Sequence, residues 1–242
     1  DWLLRAVEEA DPDGVAVWYL GCNGFIVKSS GGATVFIDPY LGIGDPPRTV
    51  RMIPVPFDPS EVTEADAVLG THEHTDHVHG PSQAPILAGT GATYYTTDSG
   101  HDVIREEAWL DNWSVTDEQL EEVEEGDTVE IEDLTIHVEQ ANDPDAEHPV
   151  SFVFEHDSGT FFHGGDARPG AFESVGEAYD IDVGVLAFGA VAMIDDSETG
   201  EPKRTKRYRD ENMIIEGAHD TEPDGMAPRH SGRWKTITPG PT

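Results

Sequence analysis

The chain has 242 residues, which is long enough for one sizeable hydrophobic core, and we expect a single domain over residues 1–242. It carries 14 Lys and Arg against 49 Asp and Glu, a net charge of −35, yet 37% of its residues are hydrophobic and lie in well-spaced runs. This balance excludes a wholly disordered chain, and the strong negative charge opposes binding to long nucleic acids. Because the acidic residues are spread along the whole chain, they indicate a halophilic protein, in which concentrated salt screens the self-repulsion.

Cysteine usage and hydropathy bear on the compartment. Cys22 is the only cysteine, so an intramolecular disulfide and a cysteine-built zinc site are both excluded. No apolar run approaches membrane-spanning length, and there is no basic segment followed by an apolar signal segment. We therefore expect a cytoplasmic protein that does not engage a membrane.

In chain order, the hydrophobic pattern predicts two β-rich halves that are followed by helices. The first half contains predicted helices at 1–10, 81–88 and 101–110 and strands at 15–20, 25–28, 33–37, 65–69, 93–97 and 113–115. Residues 118–125 fit either a helical turn or a solvated loop. The second half contains hairpins at 128–138 and 150–163, a buried strand at 183–188, a helix at 209–221 and a short strand at 225–227. This order predicts an α/β fold of two layered sheets covered by helices.

The segment after the predicted strand at 65–69 has the order His-x-His-x-Asp-His. Its side chains of the kind that bind metals are His72, His74, Asp76 and His77. Imidazole nitrogens and carboxylate oxygens together suit a divalent transition metal, and alternate residues of a tight turn can face different ions. The pattern therefore indicates half of a two-metal site. The alternative is a polar, solvated loop that happens to hold several of the 11 histidines, and the specific spacing disfavours it.

A two-metal site needs further ligands, and three candidates lie at the ends of predicted strands. His148 precedes the strand at 150–154, Asp166 follows the strand at 160–163 in a Gly-Gly-Asp sequence, and His230 follows a short apolar segment. Each has a simple alternative role, respectively as a surface histidine, a turn former and a solvated loop residue. The histidine motif favours the ligand interpretation for all three.

Three further stretches carry a resemblance to a known family. They are WYLGCNGF at 18–25 with KSSGG at 28–32, DAVLGT at 66–71 directly before the histidine motif, and PRHSGRWK at 228–235 around the final histidine. Together with the histidine motif and Gly-Gly-Asp, they resemble the metallo-β-lactamase superfamily and, within it, the L-ascorbate-6-phosphate lactonase branch. The resemblance implies a four-layer αββα sandwich and a metal-dependent hydrolase.

The resemblance also implies how the ligands are divided between two ions. His72, His74 and His148 would hold one ion, Asp76, His77 and His230 would hold the other, and Asp166 would bridge them. Histidine-rich ligands suit zinc, two carboxylates allow manganese or iron, and the resemblance favours manganese, so we expect two divalent ions of zinc or manganese.

The expected chemistry is hydrolysis by a hydroxide that bridges the two ions. Asp76 and Asp166 would be the catalytic carboxylates, with Asp76 also taking or orienting the proton of the attacking water. Asp38, at the end of the strand at 33–37, would either support a metal ligand from behind or serve only as a turn residue.

Basic residues are concentrated at 203–209, in contrast to the rest of the chain. Arg207 and Arg209 can clamp an anionic substrate at the mouth of the site, or this segment can be a solvated loop paired with neighbouring acidic residues. We expect a small anionic ester or lactone as substrate, such as a sugar-phosphate lactone. The alternatives are a phosphodiesterase or nuclease of the same superfamily, a promiscuous β-lactamase-like hydrolase, and a non-catalytic metal-binding protein. Assembly into a homo-oligomer is left open.

Overall fold

The structure is a computed structural model, and it describes residues 1–44, 51, 53–106, 109–168, 170, 172–187, 191–195, 202–207, 220–221 and 225–229. Within these residues the strands in chain order are β1 (Val15–Gly21), β2 (Gly24–Ser29), β3 (Thr34–Ile37), β4 (Ala67–Leu69), β5 (Thr93–Thr96), β6 (Leu120–Glu122), β7 (Thr128–Ile131), β8 (Leu134–Gln140), β9 (Val150–His156), β10 (Gly159–His163), β11 (Val183–Ala187), β12 (Val191–Asp195), β13 (Pro202–Arg207) and β14 (Gly225–Arg229). The α-helices are α1 (Trp2–Glu8), α2 (Gly80–Thr90), α3 (Asp98–Glu106), α4 (Trp109–Asn112) and α5 (Phe172–Ala178). Short 3-10 helices occur at Pro59–Glu61 and Asp117–Gln119.

Two six-stranded mixed sheets form the centre of the fold. The first has the order β1-β2-β3-β4-β5-β6, with antiparallel pairing from β1 to β3 and parallel pairing from β3 to β6. The second has the order β14-β11-β10-β9-β8-β7, with antiparallel pairing from β7 to β10 and parallel pairing from β10 through β11 to β14. A separate hairpin pairs β12 with β13.

Alternating apolar residues give each sheet two buried faces. In β3, Val35 and Ile37 face a cluster shared with Phe152 and Phe161 of the second sheet, whereas Phe36 faces a cluster shared with helices α1 and α2. A third cluster packs α5 against the outer face of the second sheet. Buried strands with apolar residues on both faces are expected where helices cover a sheet. The layers are therefore helix, sheet, sheet and helix, which confirms the predicted αββα sandwich.

Two elements of the first half differ from the sequence prediction. The strand predicted at 113–115 is wrong, because the backbone turns there: the amide of Trp113 donates to Leu110 O and that of Ser114 to Asp111 O. The segment 118–125, left open between a helical turn and a loop, instead contains β6, which pairs in parallel with β5. Its acidic residues form the edge of the sheet, where they remain solvated.

The helix predicted at 209–221 lies almost wholly outside the described residues. No helix in the described part of the chain combines the length and the apolar character needed to cross a membrane.

Candidate metal centre

The histidine motif follows β4, and its support comes from the neighbouring strand β3. The two strands run parallel with Ile37 opposite Leu69, so the loops after them leave the same edge of the sheet. Asp38, which is fully buried, accepts hydrogen bonds from the Thr71 amide (2.9 Å) and the Thr71 hydroxyl (2.8 Å). Its Oδ2 also lies 2.6 Å from His77 Nδ1. A carboxylate in this position orients the histidine ring, so that the opposite nitrogen faces the site.

The first donor set contains His72, His74 and Asp143. His72 Nε2 lies 2.9 Å from His74 Nδ1, and Asp143 Oδ2 lies 3.8 Å and 3.9 Å from these two nitrogens. The side chains of His72 and Asp143 are nearly inaccessible to solvent, whereas 36% of the His74 side chain is exposed. The three groups therefore converge on one small volume with one open side.

The second donor set contains His72, His77 and Asp166, so His72 belongs to both sets. One ligand atom of each residue lies within 4.8 Å of the others, and Asp166 Oδ1 is 3.5 Å from His77 Nε2. Asp76 Oδ1 lies 3.9 Å from the same nitrogen. The Asp76 side chain is 43% exposed against 12% for Asp166, so Asp76 is the carboxylate that faces solvent.

The antiparallel part of the second sheet explains why Asp143 and Asp166 lie at the same edge of the sheet. Gln140 at the end of β8 pairs with Val150 at the start of β9, and β10 runs antiparallel to β9. The loop after β8 and the loop after β10 therefore leave the same edge. Asp166 is preceded by Gly165 at φ +53°, where an added Cβ would lie 3.0 Å from the Val150 carbonyl oxygen, so the turn requires glycine.

The electrostatics of the donor sets fit a divalent cation. Burial lowers the pKa of His72 to about 2, with the neighbouring His77 contributing, so the His72 ring is neutral and keeps a lone pair. Burial alone would also lower the pKa of His77, but the carboxylates of Asp38, Asp166 and Asp76 outweigh it and raise that pKa to about 10. The surrounding carboxylates thus favour a positive charge at His77. Imidazole and carboxylate donors of this kind are those that zinc and manganese use in proteins.

The structure does not bring His148 to either donor set. Its side chain is 77% exposed, its backbone takes a φ of 48°, and its Nδ1 lies 3.0 Å from Asp98 Oδ1. Asp143, from the same loop, lies where the sequence led us to expect His148. Of the other expected site residues, His230 and Arg209 lie outside the described residues, and Arg207 is described only as backbone at the end of β13.

Two residues of the site were missed by sequence reasoning. Asp143 carries the same signal as Asp166, a carboxylate shortly after a buried strand, but it lies in an acidic segment in which one carboxylate does not stand out. Asn23 lies in the tight turn between β1 and β2, yet it is fully buried. Its Nδ2 lies 2.6 Å from His77 Nε2 and 3.4 Å from Asp76 Oδ2. The antiparallel pairing of β2 with β3, with Phe25 opposite Ile37, places that turn beside Asp38.

A further contact joins this turn to the second sheet. His163 Nε2, at the end of β10, donates to the Asn23 backbone carbonyl over 3.1 Å, which ties the β1–β2 turn to the second sheet.

A cavity of about 510 Å³ lies beside the loop that carries Asp143. It is lined by Thr97, Asp98, residues 122–125, residues 140–141 and residues 148–150. None of the donor residues described above lines it.

A family match agrees with the fold and the donor sets. The chain belongs to the beta-lactamase superfamily domain family, whose model matches residues 33–204. The matched region includes the histidine motif and both carboxylates of the donor sets, Asp143 and Asp166.

Curated relatives and solved structures are similar over most of the chain. The chain is 26% identical over 232 residues to the probable L-ascorbate-6-phosphate lactonase of Escherichia coli O127:H6, with 78% of this chain covered. It spans 64% of the length of that relative. A metallo hydrolase from Ignicoccus hospitalis is 18% identical with a TM-score of 0.60, covering 89% of this chain and 82% of its own. An isothiocyanate hydrolase from Delia radicum gut bacteria is 17% identical with a TM-score of 0.64, covering 89% and 84%. The two structures support the fold.

Proposed function

We propose that this protein is a metal-dependent hydrolase of a small anionic ester or lactone. The observation that carries the proposal is His72, a buried neutral imidazole shared by two adjoining donor sets. Two adjoining donor sets are the arrangement expected for a pair of metal ions that act on one substrate. A neutral imidazole has one free lone pair, so His72 would bind only one of the two ions.

The proposed ligands differ in one place from those that the sequence suggested. His72, His74 and Asp143 would hold one ion. His77, Asp76 and His230 would hold the second, and Asp166 would lie between the two. The set contains both imidazoles and carboxylates, so it suits zinc or manganese. When bound, such ions lower the pKa of water and stabilise negative charge on a substrate oxygen.

The exposure of each side chain indicates its role in the proposed reaction. Asp76 is the carboxylate open to solvent, so it is suited to accept a proton at the mouth of the site. The amide of Asn23 lies 3.4 Å from Asp76 Oδ2, a contact that keeps this carboxylate oriented. Asp38 holds His77 from behind through its 2.6 Å contact with Nδ1. The roles of Asp76 and Asp166 as catalytic carboxylates remain proposals on this basis.

The lactone is proposed as substrate because the Escherichia coli relative is described as a probable L-ascorbate-6-phosphate lactonase. A phosphate on the substrate would need a cationic partner, and the basic segment at 203–209 offers Arg207 and Arg209. Replacing both arginines with Gln is expected to raise KM for a phosphorylated lactone while kcat changes little. The same pair of substitutions is expected to leave KM unchanged for an uncharged lactone, and an equal effect on both substrates would exclude a phosphate clamp.

Turnover on a panel of substrates tests the proposal. The metal-loaded protein would be assayed in concentrated salt with a phosphorylated lactone, a carboxylate ester, a bis-phosphodiester and a β-lactam. We expect cleavage of the lactone, its loss after chelation and its return when Zn²⁺ or Mn²⁺ is added. Cleavage of the phosphodiester alone would indicate a phosphodiesterase. No turnover on any substrate by a metal-loaded chain would indicate a metal-binding protein without catalytic activity.

A further inference from the structure

The loop between β8 and β9, residues 142–148, is held on the histidine motif from outside; we call it the Asp143 loop. The Glu147 amide donates to Glu73 Oε1 over 2.9 Å, and the Ser99 hydroxyl donates to the Glu147 carbonyl over 3.0 Å. At the other end of the loop, the Arg168 amide donates to the Asn142 carbonyl over 2.9 Å. The position of the loop therefore depends on residues of three other segments.

The same loop fixes the protonation pattern of His74. His74 Nε2 lies 3.0 Å from the Asp145 carbonyl oxygen, which can only accept a hydrogen bond, so Nε2 is the nitrogen that carries the hydrogen. In a neutral ring this leaves Nδ1 with its lone pair. Nδ1 is the atom that lies 2.9 Å from His72 Nε2 and 3.9 Å from Asp143 Oδ2. The loop thus supplies one donor of the first set and presents the correct nitrogen of another.

Glu73 occupies an alternate position of the motif, between the two histidines, and belongs to neither donor set. Its side chain is 19% exposed, and its Oε1 lies 4.0 Å from His74 Nε2. The Ser99 hydroxyl oxygen, whose single hydrogen goes to the Glu147 carbonyl, also lies 3.4 Å from Glu73 Oε2. The Glu73 carboxylate therefore joins the motif to the Asp143 loop next to both His74 and Ser99.

We propose that Glu73 is a positioning residue that clamps the Asp143 loop onto the histidine motif and thereby assembles the first donor set. The inference rests on the proposed function in one respect, the assignment of His74 and Asp143 as metal ligands. Glu73 acts through the Glu147 amide and does not itself face the ion. The required property is a hydrogen-bond acceptor, so Gln at this position is expected to replace Glu, whereas Ala is not.

Hydrogen exchange and metal titration of three forms, the parent chain, Glu73→Ala and Glu73→Gln, test the inference. In metal-free Glu73→Ala, the amide of Glu147 is expected to exchange faster than in the parent chain, while amides of β9 keep their rates. Zn²⁺ affinity, measured by competition with a chromophoric chelator, is expected to fall by about tenfold to a hundredfold, as when other outer partners of metal ligands are lost. Glu73→Gln is expected to restore both properties to near the parent values.

Two results would overturn the inference. One is an unchanged exchange rate and unchanged Zn²⁺ affinity in Glu73→Ala. The other is a Gln variant as defective as the Ala variant, because the effect would then come from the negative charge and not from the clamp. If Glu73→Ala does not fold, Glu73→Met, which keeps the side-chain length but removes the acceptor, takes its place, and an unchanged exchange rate of the Glu147 amide would overturn the inference.

These readouts do not require turnover, so they separate this inference from the proposed function. A chain that binds metal and loses affinity in Glu73→Ala, but hydrolyses nothing on the panel, would sustain the clamp and contradict the hydrolase. A chain that hydrolyses a substrate of the panel, and whose Glu73→Ala variant keeps its metal affinity and amide exchange rate, would support the hydrolase and contradict the clamp.

Discussion

Asp143 and His148 lie in one loop, and each is a candidate for the third ligand of the first metal ion. The structure favours Asp143, whereas the sequence suggested His148. Asp143→Ala is expected to lower metal affinity at least about tenfold, because it removes a donor, and outer partners alone are typically worth that much. His148→Ala is the matched control and is expected to change affinity little, since its exposed ring contacts Asp98. Isothermal titration of both metal-free variants measures this, and a larger loss in His148→Ala would return the ligand role to the histidine.

The pKa of His77 makes the stability of the metal-free chain depend on pH. Its folded-state pKa is raised from 6.5 to about 10, so the stabilisation is complete below pH about 6.5 and is lost as pH rises through about 10. The free energy of unfolding after chelation is therefore expected to fall between pH about 7 and about 10. Urea unfolding across this range measures it. The matched variant His77→Gln is expected to give a flatter curve, and equal slopes would contradict the account.

At the scale of elements, a single side chain ties helix α1 to the first sheet. Lys28 in β2 is 9% exposed, and its Nζ donates to the carbonyls of Val7 (2.8 Å) and Glu8 (3.2 Å) at the end of the helix. A cation at a helix C-terminus also interacts favourably with the helix dipole.

Lys28→Met is therefore expected to lower the free energy of unfolding by about 1–3 kcal/mol, because two carbonyls lose a charged donor. Arg5→Met, on the exposed side of the same helix, is the control and is expected to have little effect. Denaturant unfolding compares the two variants, and an equal loss in both would show that the buried contact is not what matters.

The elements that sequence reasoning found are those with strong periodicity or clear apolar runs. The hairpin β7–β8 alternates apolar and polar residues around a short turn, a pattern typical of a strand with one buried face. In β9–β10 the signal is two short apolar runs on either side of an Asp-Ser-Gly turn. The short strand β6 contains two acidic residues and a single buried one, Leu120, so its pairing with β5 has no periodic signal. At 113–115 the apolar residues predicted a strand that does not exist. Val115 is buried, but it follows the turn at the end of α4 and is not part of a strand.

At the scale of the whole molecule, the sequence could predict the donor residues of the histidine motif, and Asp166 from its Gly-Gly-Asp turn after a strand, but not Asp143 or Asn23. The histidine motif is local, and its spacing alone identifies the side chains. Asp143 reaches the site because β8, β9 and β10 place two loops at one edge. Asn23 reaches it because β2 pairs with β3, and a contact with His163 ties its turn to the second sheet. The contacts of Asp143 with the histidine motif and of Asn23 with His163 join residues far apart in the sequence, so no local sequence pattern predicts them.

The net charge of −35 predicts strong salt dependence. Between about 0.1 M and about 1 M salt the Debye length falls from about 10 Å to about 3 Å, which removes most of the repulsion between exposed carboxylates. Tm is therefore expected to rise with KCl over this range. A neutral osmolyte, which stabilises without screening, serves as the control. A Tm that rises no more in KCl than in the osmolyte would contradict a halophilic adaptation of the surface.

The metal-to-protein ratio of the chain purified in concentrated salt, with lactone turnover measured on the same sample before and after chelation, tests the central claim most directly. The account predicts about two divalent ions per chain, with turnover that is lost on chelation and restored by Zn²⁺ or Mn²⁺. A chain without bound metal that hydrolyses the lactone at an unchanged rate in chelator would contradict it.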